Sequence, residues 1–134
     1  MPNSFCHIEL STDDVGAAKK FYKGLFKWKV QNLGKELGGY NMIDVRKGVG
    51  GGMMKKPAPE APTSWLPYVE VDDVKKTIAK AKKLGATIKV GYMEIPGGMG
   101  AFGVFVDPAG AGLGVWEAAK KKPSRKAGKK KRKK

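Results

Sequence analysis

The sequence predicts an α+β fold: two tandem βαβββ modules forming a curved mixed sheet around a cleft, followed by a disordered basic C-terminal tail. One observation is a repeat, because Asp-Asp-Val occurs at residues 13–15 and again at 72–74, 59 positions later, each time between a strand pattern and a helical pattern. Another is the proline-rich stretch 55–63 between the two copies. The third is the final segment 118–134, which holds 11 Lys and Arg residues and no acid.

These features divide the chain into a domain at residues 1–117 and a tail at residues 118–134. The domain consists of module one at 5–54, a linker at 55–63 and module two at 64–117. A chain of 134 residues has the length of about one domain and can bury a hydrophobic core.

Module one begins with a predicted strand at Phe5–Ser11, in which apolar and polar residues alternate. Alternation places His7 and Glu9 on one face and Ile8 and Leu10 on the other.

A helix follows this strand, because apolar residues recur at helical spacing after residue 14. Thr12 or Asp13 is expected to cap it. The remaining strands of module one are predicted at 28–31, 40–45 and 53–54.

Module two repeats this plan, with a strand at Trp65–Val71 and a helix capped by Asp72 or Asp73. Gly85 is expected to end the helix, since glycine readily adopts the left-handed conformation found after helix C-termini. Three strands complete the module, and they are predicted at 87–90, 101–106 and 113–116, with a type I turn at 107–110.

Each module then has a sheet whose own helix covers only one face. The other face must be buried, and the second module is the most economical partner. Pairing within one chain and pairing across a homodimer both satisfy this need, and a homodimer is expected.

The cleft between the modules is expected to be aromatic and mostly apolar, as small-molecule pockets tend to be. Glycines at 112 and 114 favour a pocket with room beside Trp116, although the same side chains could fill a collapsed core. The predicted ligand-binding residues are His7, Glu9, Tyr40, Met42, Tyr68, Glu70 and Trp116. No catalytic residue is assigned.

Four segments of the sequence resemble those of a known family. These segments are HIELSTDDVGAAKKFYKGLFKW, GVGGGMM, WLPYVEVDDVKKTIAKAKKLGA and FGVFVDPAGAGLGVWE. Over residues 5–117 the chain resembles the vicinal oxygen chelate superfamily, which includes glyoxalase I, bleomycin-resistance proteins and extradiol dioxygenases. It looks closest to the branch of predicted lactoylglutathione-lyase-related proteins.

The resemblance implies a divalent metal site with one His/Glu pair from each module, and His7 matches the first ligand. Aligning HIEL with YVEV makes Tyr68 the second position, and a tyrosine is a poor ligand at neutral pH. The acidic position after the Asp107–Gly110 turn is Gly114, and module one has no acid near 50–54. Because a catalytic metal needs about three protein ligands, no cofactor is expected, and a divalent metal held by His7 remains the alternative.

Composition and sequence pattern indicate the cellular compartment of the protein. No stretch approaches the roughly 20 apolar residues of a membrane helix, and the first ten residues lack the pattern of a signal peptide. The single Cys6 cannot form an internal disulfide. A cytoplasmic location is therefore expected.

The tail accounts for most of the net charge of +15. Like charges and the near absence of apolar surface predict a disordered tail. They also predict binding to polyanions such as nucleic acid, without sequence preference. A purely solvated tail, or one that binds an acidic membrane or protein, is the alternative. The predicted polyanion-binding residues are Lys129, Lys130, Lys131, Arg132, Lys133 and Lys134.

The function that follows is binding of a small molecule in a metal-free aromatic cleft, with a polyanion-binding tail. Two alternatives stay open. One is a divalent-metal enzyme of glyoxalase type, a lyase, isomerase or dioxygenase that uses His7. The other is a nucleic-acid-associated protein whose folded domain serves for dimerisation or sensing.

Overall fold

A computed structural model describes residues 3–119 as two βαβββ modules, as the repeat predicts. The elements are β1 (Phe5–Thr12), α1 (Val15–Leu25), β2 (Lys29–Asn32), β3 (Asn41–Asp44), β4 (Gly51–Lys55), β5 (Ser64–Glu70), α2 (Val74–Lys83), β6 (Thr87–Glu94), β7 (Ala101–Val106) and β8 (Gly112–Glu117). A single 3-10 turn at Lys35–Leu37, which the sequence did not indicate, precedes β3.

The eight strands form one mixed sheet in the order β2-β3-β4-β1-β5-β8-β7-β6. The modules meet edge to edge, because β1 pairs with β5 in the antiparallel direction. Within each module the first strand pairs in parallel with the last, β1 with β4 and β5 with β8. The α+β class is confirmed, and the modules pair within one chain by joining sheet edges rather than by covering each other's faces.

Both helices lie on the same face of this sheet. Leu10 of β1 packs with α1, and Val71 and Val115 pack with α2. Trp65, which faces Leu10 across the β1–β5 pair, contacts Tyr22 of α1. We call the opposite side of the sheet the open face, since neither helix covers it.

The helix ends follow from local hydrogen bonding. The carboxylates of Asp14 and Asp73 accept hydrogen bonds from the backbone N–H groups of Ala17 (2.9 Å) and Lys76 (3.0 Å) and so cap the two helices. The expected cap of α1 at Thr12 or Asp13 is wrong by at least one residue, because the helix begins at Val15 and the residue directly before it, Asp14, supplies the carboxylate that accepts from the N–H of Ala17. Asp13 instead forms an ion pair with Lys56 at 3.1 Å.

The end of α2 confirms the role of Gly85. Its φ of 104° is left-handed, and its backbone N–H donates to the carbonyl of Lys82. The N–H of Ala86 donates to the carbonyl of Ala81, which completes the double hydrogen bond of a Schellman motif.

The expected turn at 107–110 is also present. The backbone N–H of Gly110 donates to the carbonyl of Asp107 at 2.9 Å. The Asp107 carboxylate accepts from the N–H groups of Ala109 and Ala111, which holds its pKa below the ordinary range.

Among residues 3–119, no helix is long and apolar enough to span a membrane. The tail residues that were expected to bind polyanions, Lys129 to Lys134, lie outside the described residues.

Candidate functional site

Four of the expected ligand-binding side chains meet on the open face. His7 and Glu9 project from β1, and Tyr68 of β5 lies directly opposite His7 in the antiparallel pair. Tyr40 immediately precedes β3, and its hydroxyl lies within hydrogen-bonding distance of both His7 and Glu9. We call these four residues the polar cluster.

Hydrogen bonds hold the polar cluster together. The Tyr40 hydroxyl donates to Glu9 Oε2 at 2.9 Å, and the Tyr68 hydroxyl donates to Glu9 Oε1 at 3.2 Å. The Tyr40 oxygen is also 2.7 Å from His7 Nε2. A tyrosine hydroxyl has one hydrogen, so with that hydrogen on Glu9 the Tyr40 oxygen accepts from His7. This pattern assigns the Nε2–H tautomer to His7.

Burial sets the charges of the polar cluster. It lowers the pKa of His7, which favours the neutral imidazole. It raises the pKa of Glu9, while the hydrogen bonds from Tyr40 and Tyr68 act in the opposite direction. Burial and the nearby Glu9 charge raise the pKa of both tyrosines, so they stay protonated and serve as donors.

Two glycines make room for the tyrosine rings. A Cβ atom on Gly52 of β4 would overlap the Tyr40 ring and hydroxyl, and one on Gly114 of β8 would overlap the Tyr68 ring. Gly52 pairs with Glu9, and Gly114 pairs with Tyr68. The room at Gly114 is therefore filled by Tyr68, not left open beside Trp116 as the sequence suggested.

The internal equivalence of the modules differs from the alignment of HIEL with YVEV. The two helix caps, Asp14 and Asp73, are 59 positions apart, and this offset makes Tyr68 the counterpart of Glu9. The counterpart of His7 is Leu66. The motif alignment was wrong because two residues separate Leu10 from Asp-Asp-Val in module one, whereas Val71 precedes it directly in module two.

The remaining expected residues surround the polar cluster at different distances along the sheet. Met42 is half-buried and pairs with Gly52, so it faces the same side as Glu9. Trp116 is anchored by its indole N–H, which donates to the carbonyl of Met99 at 2.9 Å. Phe102 pairs with Trp116 and places its ring 6.2 Å from that of Tyr68.

Glu70 lies apart from the polar cluster. It stands at the end of β5, near Cys6, where burial raises the pKa of the thiol and the Glu70 charge adds to this effect. None of the described hydrogen bonds joins its carboxylate to His7 or Glu9.

The donors around His7 do not fit the family metal. Within residues 3–119, no group of three or more His, Cys, Asp or Glu side chains lies close enough together to hold an ion. The other family positions hold no ligand either: Leu66 is the counterpart of His7, Gly114 follows the turn at 107–110, and residues 50–54 contain no acid. Glu117, the acid next in sequence, is buried on the helix side and accepts a hydrogen bond from the backbone N–H of Val74 at 2.8 Å.

Sequence reasoning missed a recess on the helix side of the sheet. It has a volume of about 570 Å³ and lies between α2 and the strands of module two. Its walls are mostly apolar, with lysines at the helix, and its lining includes Val69, Val71, Lys76, Lys80, Phe105 and Leu113. The sequence feature that could have indicated this recess is the pair of short side chains at Thr77 and Ala81, which line it from α2.

Comparison with known proteins identifies relatives for most of the chain. A family model described as Glyoxalase/Bleomycin resistance protein/Dioxygenase superfamily matches residues 4–115. The chain is similar to "Putative glyoxylase CFP32" of Mycobacterium tuberculosis, with 34% identity over 116 residues that cover 83% of this chain and 44% of that protein.

Two further similarities are more distant. The anthracycline biosynthesis protein DnrV of Streptomyces peucetius is 26% identical over 130 residues, which cover 86% of this chain and 47% of that protein. The chain thus spans about half the length of the curated relatives it matches. A methylmalonyl-CoA epimerase structure from Streptomyces coelicolor matches with a TM-score of 0.63 at 13% identity, covering 90% of this chain and 100% of that chain, and shows the fold alone.

Proposed function

Since the chain belongs to the Glyoxalase/Bleomycin resistance protein/Dioxygenase superfamily, we propose that it binds a small molecule on the open face of its sheet, without the family metal ion. The observation that carries this proposal is the polar cluster. The hydroxyls of Tyr40 and Tyr68 converge on the Glu9 carboxylate, and His7 bonds to the Tyr40 hydroxyl. Polar groups of this kind fix the orientation of a ligand in an otherwise apolar site.

The surroundings of the polar cluster favour an aromatic or apolar ligand. Met42, Phe102 and Trp116 lie on the same side of the sheet and are half-buried. The name of DnrV places that relative in anthracycline biosynthesis, which supports a small-molecule ligand.

The proposal is tested by ligand-observed NMR with a library of small aromatic compounds. We expect Trp116→Ala to weaken binding of the compounds that bind the wild type, because Trp116 supplies part of the wall. Leu84→Ala is the control, since Leu84 is 71% exposed at the end of α2, on the other side of the sheet. Unchanged affinity in Trp116→Ala, with the fold intact by circular dichroism, would place the ligand elsewhere.

The alternative is a metal-dependent lyase, isomerase or dioxygenase that uses His7. Metal stoichiometry separates it from our proposal: the untagged protein is equilibrated with Ni, Zn, Mn and Fe(II), desalted and analysed for bound metal. We expect no stoichiometric ion. About one ion per chain, lost in His7→Ala, would favour the enzyme.

For the tail we propose non-specific binding of nucleic acid or another polyanion, supported by its 11 positive charges. Such binding weakens steeply with salt, because each phosphate contact releases condensed counterions. Comparing the full chain with a variant lacking residues 118–134 at several salt concentrations tests this role. Equal DNA affinity of the two proteins would assign any binding to the folded domain.

We also propose a homodimer in the cytoplasm. Large apolar side chains are exposed on and beside α1, and a second copy could cover them. They are Phe21, Leu25, Phe26 and Trp65, which are 61%, 58%, 45% and 38% exposed. Light scattering coupled to size exclusion measures the mass, and Phe21→Asp is expected to shift it toward the monomer.

A further inference from the structure

Glu9 is an acidic side chain with no positively charged partner on the protein. Its hydrogen-bond partners are the neutral hydroxyls of Tyr40 and Tyr68. Within residues 3–119, no Lys or Arg side chain forms an ion pair with it, since the described ion pair joins Lys56 to Asp13. A partly buried carboxylate is usually paired with a cation, because desolvation of an unpaired charge is costly.

The hydrogen-bonding capacity of the polar cluster is only partly used. Each oxygen of Glu9 accepts one tyrosine hydrogen and keeps room for another donor. With Nε2–H directed at Tyr40, His7 retains a free acceptor at Nδ1, for which no described partner exists. The cluster therefore presents acceptors to a ligand, because its own hydrogens are already donated within the cluster, to Glu9 and to Tyr40.

Aromatic rings stand beside these acceptors. The Tyr40 ring stacks on the His7 ring with centroids 6.2 Å apart, and the Tyr68 ring meets His7 edge-on at 5.8 Å. Phe102 adds a third ring next to Tyr68. Ring faces attract cations electrostatically and also pack against an aromatic ligand.

We propose that the ligand of the open face is a small aromatic amine in its protonated form, with its ammonium group on Glu9 and its ring against the tyrosines. This inference rests on the proposed function and names its ligand class. A primary ammonium supplies three N–H donors, which matches a site that offers acceptors. It also supplies the positive charge that the described residues do not provide to Glu9.

The test uses the full chain and three probes of similar shape and different charge: benzylamine, benzyl alcohol and benzoate. Affinities are measured by NMR titration at neutral pH, where benzylamine is cationic. We expect benzylamine to bind about tenfold more tightly than benzyl alcohol, and benzoate to bind most weakly. The net charge of +15 would by itself favour benzoate, so a preference for the amine reports on the local site.

Glu9→Gln removes the charge while keeping the size of the side chain. We expect the ratio of amine to alcohol affinity to fall to about one in this variant. Glu60→Gln is the matched control, because Glu60 is exposed in the linker between the modules, away from the polar cluster in the sequence of elements, and it should keep the wild-type ratio. Should Glu9→Gln fail to fold, the carboxyl carbon shift of Glu9 in the wild type serves instead, and it should move with benzylamine only.

Three outcomes would overturn the inference in distinguishable ways. Equal affinity for benzylamine and benzyl alcohol would remove the charge preference and leave the proposed function standing. Preference for the amine that persists in Glu9→Gln, or a Glu9 carboxyl shift that benzylamine does not move, would place the charge recognition on another residue. Absence of binding by all three probes would count against both the inference and the proposed function.

Discussion

At the residue scale, the open face depends on two positions where a side chain is absent. Gly52 and Gly114 lie beneath the rings of Tyr40 and Tyr68, and each ring occupies the space that a Cβ atom would need. The tyrosines can then turn their hydroxyls onto one carboxylate, Glu9, instead of pointing into solvent. Glycine is favoured here by close approach rather than by backbone conformation, since neither residue has a positive φ.

This close approach makes Gly114→Ala a destabilising change. The added methyl group collides with the Tyr68 ring, which is only 6% exposed and has little room to move. We expect a loss of about 1–3 kcal/mol in the free energy of unfolding, typical of overpacking. Urea denaturation measures it.

Gly112→Ala is the control for this prediction. It lies in the same strand, and a Cβ atom there would contact Leu66 at an ordinary 3.5 Å. We expect its stability to stay within about 0.5 kcal/mol of the wild type. Equal destabilisation of the two variants would mean that the loss of strand glycine, and not the tyrosine ring, controls stability.

At the scale of the elements, two caps with identical local sequence fix the start of both helices. Asp-Asp-Val occurs before each helix, and in both modules the second aspartate accepts the hydrogen bond from the third helical residue. The first aspartate of module one is left to pair with Lys56 on the surface. Neighbouring residues of the same type therefore have different structural roles.

Replacing these neighbours one at a time distinguishes the roles. Asp14→Ala should lower the free energy of unfolding by about 1 kcal/mol, because the backbone N–H of Ala17 loses its acceptor. Asp13→Ala should cost less than about 0.5 kcal/mol, since the Asp13 side chain is 72% exposed and Lys56 keeps its hydrogen bond to the carbonyl of Pro59. Thermal or urea unfolding of both variants checks the order, and a larger effect of Asp13→Ala would contradict this assignment of the cap.

At the scale of the whole molecule, β1 and β5 join two half-sheets into one. The seam runs from Phe5 to Ser11 and contains both His7 and Tyr68, so the polar cluster straddles the boundary between modules. Neither module contains the cluster alone. Any ligand that binds there contacts both halves and couples them.

A continuous sheet predicts cooperative unfolding of the two modules. Met53 is fully buried in the core of module one, and Ile78 is buried against Val71 and Val115 in module two. We expect Met53→Ala and Ile78→Ala each to lower stability by about 2–5 kcal/mol while leaving one two-state transition.

The measurement uses Trp28 in module one and Trp116 in module two as reporters, in a background where the third tryptophan, Trp65, is replaced by phenylalanine. Variants that retain only one of them should report the same midpoint in urea, before and after each core substitution. Separate midpoints would mean that the modules unfold independently and that the β1–β5 pairing is weak.

The sequence by itself determined the order and the type of the elements, because these depend on local properties. Alternation put His7 and Glu9 on the face opposite Leu10, and the repeat of Asp-Asp-Val with the proline-rich linker defined two equal modules. Gly85 and the turn at Asp107 were predictable because a single residue type satisfies a specific backbone conformation.

Only the tertiary structure decided how the modules join and what the site contains. Edge-to-edge pairing and face-to-face packing of the two modules bury similar patterns of side chains. The alternation of apolar and polar residues therefore could not distinguish these two arrangements. Tyr40 lies outside the strands and reaches Glu9 across the sheet, 31 residues away in sequence, and no local pattern encodes such a contact. Gly114 shows the same limit of local reasoning. Its residue type predicted that a neighbouring group could approach closely, but the register of β5 and β8 determined that this group is the ring of Tyr68.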